Sequence, residues 1–154
     1  MSIEELRSRR DLALAEREFQ SYLRRLVQVR QDILRAERER RAAGEGPQPL
    51  VERLTSVLSL GPRSPGRGEA LRETLTEEDM AEAERRADAV VGRAGITGPE
   101  NLSEAELDQA LDALEQVERA ISVDRAAVLR VHDRLQEELK RRFQQDPSLV
   151  IRDL

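Results

Sequence analysis

Residues 12–36 read LALAEREFQSYLRRLVQVRQDILRA. Leu12, Phe19, Leu26 and Ile33 recur every seven residues, and Ala15, Tyr22, Val29 and Ala36 each follow three later. That is the a/d spacing of a helix with an apolar seam. Leu23, Val27 and Leu34 widen the arc, so this helix is expected to touch more than one neighbour. Upstream, Ser2-Ile3-Glu4-Glu5 has the form of a capping box, in which hydroxyl and carboxylate satisfy the first free backbone amides. No Pro or Gly interrupts the chain before Gly44, so one helix is expected over about 3–43.

Gly44, Gly46, Pro47 and Pro49 end that helix, and Leu50, Leu54, Val57 and Leu58 predict a short amphipathic helix over about 50–60. The run Gly61 to Gly68 reads as a loop. Thr76, followed by Glu77, Glu78 and Asp79, caps a helix expected over about 77–93, and Gly95 to Pro99 reads as a break. Ser103 and Glu106 form a second capping box and open a helix over about 104–145, which Pro147 stops. Its seam is Leu107, Leu114, Ile121, Val128 and Leu135, backed by Leu111, Val117, Val131 and Leu139. The tail Ser148 to Leu154 is too apolar for a merely solvated end. The expected fold is all-α: one domain over 1–154, an antiparallel coiled-coil hairpin of two long helices with two shorter ones in the connection.

Composition narrows the function classes. The 154 residues carry 31 acidic and 26 basic side chains, a net charge of −5, which disfavours broad binding to a nucleic-acid backbone. With 37% charged residues, 2% aromatics and no Cys, the chain suits long amphipathic helices and excludes disulfides, thiolate metal sites and a catalytic thiol. The single His132 has no nucleophile or metal cluster around it and reads as a surface residue. Phe19, Tyr22 and Phe143 read as core or seam. Arg85-Arg86 and Arg141-Arg142 sit among acidic neighbours or near a helix end. No signal peptide and no membrane span are evident, so a cytoplasmic protein is expected.

A sparse polar pattern occurs twice. Ser21, Arg24 and Asp32 are repeated as Ser122, Arg125 and Asp133, each 101 residues on. Gln28 belongs to the first copy and Glu118 to the second. Spacings of three and four place each set on one helical stripe. Arg offers a bidentate donor to guanine O6 and N7 or to phosphate, and a carboxylate accepts from the N1–H and N2 amino group of guanine. Ser lets a phosphate or ribose approach the helix closely. With the helices antiparallel, the two stripes share a face.

Both stretches resemble the cyclic di-GMP-binding motif of RsiG-type anti-sigma factors from actinobacteria. That motif places Glu, Ser, Arg, Gln and Asp at steps of four, three, four and four residues. Here Ser21, Arg24, Gln28 and Asp32 match in the first copy, with Arg17 at the Glu position. Glu118, Ser122, Arg125 and Asp133 match in the second, with Leu129 at the Gln position. The layout, with motif helices at both ends and short helices between, is similar as well. The resemblance implies a regulator, not an enzyme, that holds cyclic di-GMP against a WhiG-like sigma factor and keeps that factor from RNA polymerase. Arg24, Arg125, Asp32 and Asp133 would then read guanines and phosphates, with Ser21, Ser122, Gln28, Glu118 and position 17 supporting, and no metal or direct DNA contact. The segment 50–60, the loop after it and the apolar tail would be candidate contacts for the sigma factor.

Two other readings stand beside it. A structural coiled-coil or adaptor protein without a nucleotide ligand explains the heptads and the one-position departures. A helical DNA-binding protein conflicts with the acidic balance.

Overall fold

A computed structural model describes residues 1–46 and 75–147 of the chain. The described residues are all-helical, with no strand among them. Helix α1 spans Ile3–Ala42, α2 spans Glu77–Thr97, and α3 spans Glu104–Gln145, with a short 3-10 turn at Pro99–Asn101 before α3. The expected helix over 50–60, the loop at 61–68 and the tail at 148–154 lie outside the described residues.

The ends of the helices follow local chemistry. Ser2 Oγ accepts from the amide of Glu5 at 3.1 Å, and the Glu5 carboxylate accepts from the Ser2 amide at 2.6 Å. Ser103 and Glu106 repeat this box at the start of α3. At α2, Thr76 Oγ1 accepts from the Asp79 amide while Asp79 accepts from Thr76. Helix α1 closes with a Schellman motif: the Gly44 amide donates to the Arg41 carbonyl and the Glu45 amide to the Arg40 carbonyl. Gly44 has φ +69°, a left-handed conformation that a Cβ would penalise. The expected break over Gly95 to Pro99 is met at Gly98, between the end of α2 and the 3-10 turn, but an earlier kink precedes it. The kink falls at Gly92, with φ 68° and ψ 162°, a region essentially reserved for Gly, and helix is regained as far as Thr97.

Helices α1 and α3 lie side by side. Arg41 pairs with Glu104 at 2.9 Å, Arg35 with Glu115 at 3.4 Å, Gln28 with Glu118 at 2.6 Å and Arg125 with Ser21 at 2.9 Å. At the far end Arg142 donates to the Met1 carbonyl at 2.6 Å. Partner numbers fall on α1 as they rise on α3, so the two helices run antiparallel. Helix α2 packs on both. Leu23, Val27 and Leu34 of α1 meet Ala83 and Ala87 of α2 and Leu107, Leu111, Leu114 and Ile121 of α3 in one core. Arg30 is paired with Asp88, and the Arg86 guanidinium lies 5.2 Å from the Phe19 ring centroid.

The expected seam of α1 is displaced by one residue. Leu12 is 67% exposed and Ala15 is exposed, whereas Leu6, Gln20, Leu23, Val27, Gln31, Leu34 and Glu37 are buried. Of the heptad residues, Ile33 is buried, and Phe19, Tyr22 and Leu26 pack against the three-helix core from its edge. The buried line holds Gln20, Arg30, Gln31 and Glu37, and these polar types hide its period from a hydrophobic pattern. In α3 the seam stands at Leu107, Leu111, Leu114, Ile121 and Leu139, but Val131 is 51% exposed.

Candidate ligand-binding face on helices α1 and α3

The two polar stripes meet where α1 crosses α3. The Glu118 carboxylate accepts a hydrogen bond from Gln28 Nε2 at 2.6 Å and pairs with Arg24 at 3.2 Å. Burial works to raise the Glu118 carboxyl, but Gln28, Gln31 and the Arg24 charge outweigh it and hold the group below the usual carboxylate range. Two turns along, Arg125 Nε donates to Ser21 Oγ at 2.9 Å, and the Ser21 hydroxyl donates to the Arg17 carbonyl at 2.8 Å. Residues of one copy therefore bind residues of the other, across 90 and 104 positions of chain.

Other members of the stripes stay apart. Asp32 is half-exposed and pairs with Arg35 on its own helix, at 3.6 Å. Asp133 is exposed beside His132, at 3.2 Å. With 1.5 Å of rise per residue, the two aspartates lie about 28 Å apart along the helix pair, too far for one dinucleotide to reach both. Arg17 pairs with Glu18 at 2.6 Å and does not cross to α3. Ser122 is half-buried on α3 between Glu118 and Arg125. His132, expected on the surface, is 18% exposed in its side chain.

Sequence reasoning missed two contributors. Gln31 is 1% exposed and lies close enough to Glu118 to lower its carboxyl, although its Nε2 completes no hydrogen bond of good geometry. Arg35 bridges Asp32 to Glu115 of α3. A Gln inside an apolar arc is a usable signal for the first. Arg35 carries none in so charge-rich a helix.

The face has donors and acceptors to spare. Arg24 Nε is buried and makes no hydrogen bond, so this guanidinium is incompletely satisfied where it lies. Asp32 and Asp133 present carboxylates at either end. Among the described residues no group of His, Asp or Glu could hold a metal ion, and no helix is long and apolar enough to cross a membrane.

Residues 1–58, which carry α1 and the first stripe, match the RsiG-like family. The similarity covers the amino-terminal part of the chain. That family is one of regulatory anti-sigma factors. The second stripe lies outside the matched residues, and its link to the first rests on the cross-helix contacts of Gln28, Arg24 and Ser21. No curated protein matches the chain.

Proposed function

We propose that this protein is a cyclic di-GMP-responsive anti-sigma factor that sequesters a WhiG-like sigma factor in the cytoplasm. On this reading 1–154 is one domain, and α1 and α3 form a coiled-coil hairpin that offers its paired stripes as a two-ended clamp. The observation that carries it is the meeting of both copies on one face, with Arg24 and Gln28 on Glu118 and Arg125 on Ser21. The RsiG-like match of the segment bearing the first copy supports it independently.

Each end then has a guanidinium for phosphate or a guanine Hoogsteen edge, and an aspartate for the guanine N1–H and N2 amino group. Ser21, Ser122, Gln28 and Glu118 shape the floor between them. Arg17 stands where the second end would have a carboxylate. Because the motif arginines are partnered within the chain, ligand has to exchange those contacts for its own. The net affinity is then a difference between two sets of charge-assisted hydrogen bonds.

Calorimetric titration with cyclic di-GMP, alone and with a WhiG-like sigma factor, tests the reading. Heat is expected with the pair present, and Arg24→Ala with Arg125→Ala is expected to remove it while the helical circular dichroism stays. At about 1.5–3 kcal/mol for each charged hydrogen bond, the double variant should bind at least about 100-fold more weakly. Sigma binding that still depends on nucleotide in that variant would sink the assignment.

The internal pairing of both arginines also favours a second reading, an adaptor coiled coil without nucleotide. Absence of heat with and without the sigma factor would select it.

A further inference from the structure

The 101-residue repeat and the antiparallel stagger together relate the two ends of the face by a pseudo-two-fold. Each contact between α1 and α3 has a mirror, obtained by moving each partner to the matching position of the other copy. Arg125–Ser21 maps onto Arg24–Ser122. Gln28–Glu118 maps onto Leu129 and Arg17, and Arg24–Glu118 maps onto Arg125 and Arg17. Both departures from the repeat, Arg17 and Leu129, thus fall on one rung. Everything that Glu118 does at one end is lost at the other through position 17.

The two arginines show the effect. Arg24 is drawn to Glu118 at 3.2 Å, away from Ser122, and its buried Nε is left without a partner. Arg125 meets no carboxylate at position 17. It gives its Nε to the neutral Ser21 hydroxyl at 2.9 Å, while Arg17 is held by Glu18 on its own helix. Leu129 is half-buried and needs no polar partner, whereas a Gln there would have no carboxylate to donate to. One end is neutralised from within. The other has Arg125 without a carboxylate partner across the helices, Arg17 turned to Glu18, and a distant aspartate.

We infer that the two ends are unequal receptors: the Arg125 end takes the anionic phosphodiester of the ligand first, and Arg17 is the specificity residue that sets the difference. The ligand named here rests on the nucleotide reading above; the inequality rests on the rung. A symmetric clamp would lose equal affinity on removal of either arginine. This one loses more through Arg125, because Arg24 already spends part of its charge on Glu118.

The test has an arm without nucleotide. Thermal unfolding of Arg17→Glu is measured in the wild-type and Arg125→Ala backgrounds. The new carboxylate is expected to cost less stability, or to add some, when Arg125 is present. An identical change in both backgrounds would overturn the rung. In the second arm, cyclic di-GMP is titrated into the complex with a sigma factor. Arg125→Ala is expected to weaken binding about tenfold more than Arg24→Ala, and Arg17→Glu to bring the two losses together. Equal losses in the parent protein would overturn the inequality. If the parent protein binds no cyclic di-GMP, the nucleotide reading fails, and the unfolding arm still decides the role of Arg17.

Discussion

Glu37 is fully buried on α1, yet its carboxylate is gripped by two guanidiniums, Arg40 and Arg41, each at 2.7 Å. The Arg40 hydrogen bond is the strongest influence; burial opposes it, Arg41 adds to it, and the carboxyl falls from 4.5 to about 2. A folded-state value below the unfolded one stabilises the protein above the unfolded pKa. That contribution should therefore be intact above about pH 4.5 and fade as pH falls towards 2. Glu37→Gln should remove this acid dependence and cost about 3 kcal/mol at neutral pH, since two guanidiniums lose their shared partner. Chemical denaturation across pH 2–7 reads both effects, and an unchanged acid limb would contradict them. Arg41 also donates to the carbonyls of Pro99, at 3.1 Å, and Leu102, at 2.6 Å, so Glu37 helps lock the end of α1 to the start of α3. Nothing in the sequence singled out Glu37, because the run Arg35 to Arg41 is charged at nearly every step and only packing tells which charge is enclosed.

At the scale of elements, the long helices, their start sites and the stop of α1 were legible from Ser2, Glu5, Ser103, Glu106 and Gly44, because capping is local chemistry. The α1 seam was not. Leu12 opens the clearest heptad yet faces solvent, while Gln20, Gln31 and Glu37 take interior positions through partners that a one-dimensional pattern does not reveal. The displaced seam makes a plain contrast. Leu34→Ala should cost about 2–5 kcal/mol, as for a buried Leu, and Leu12→Ala no more than about 0.5 kcal/mol. Similar losses in urea unfolding would restore the original heptad. The kink at Gly92 gives another case: Gly92→Ala meets no neighbouring atom, but at φ 68° it should lower stability by about 1 kcal/mol or more through backbone strain alone.

For the whole molecule, the apolar core is uneven along its length. Three helices share the stretch from Leu23 to Leu34 and from Leu107 to Ile121, whereas towards the opposite end the buried apolar residues among those described are Leu6 and Leu139. Amide exchange should accordingly be slowest around Val27, Leu34 and Leu114, and faster in 3–14 and 130–145, where few apolar residues are buried among the described residues. Uniform protection along α1 would refute that gradient. The stripes were visible in sequence as a repeat, but their partnership was not. Which residue of one copy meets which of the other depends on the stagger of α1 against α3, and that is set by packing far from the stripes.

The contacts that join one stripe to the other, Gln28 to Glu118 and Arg125 to Ser21, link parts of the chain 90 and 104 residues apart, while α2 and α3 are near neighbours in sequence. Closing so long a loop costs entropy before any contact repays it. Formation of the α2–α3 corner should therefore precede the arrival of α1, and the face should exist only after that last step. In folding kinetics, substitutions at Ala83 or Leu107 should slow folding, whereas Gln28→Ala should mainly hasten unfolding. A nascent chain or a partly unfolded one would then have both stripes and not the face they share.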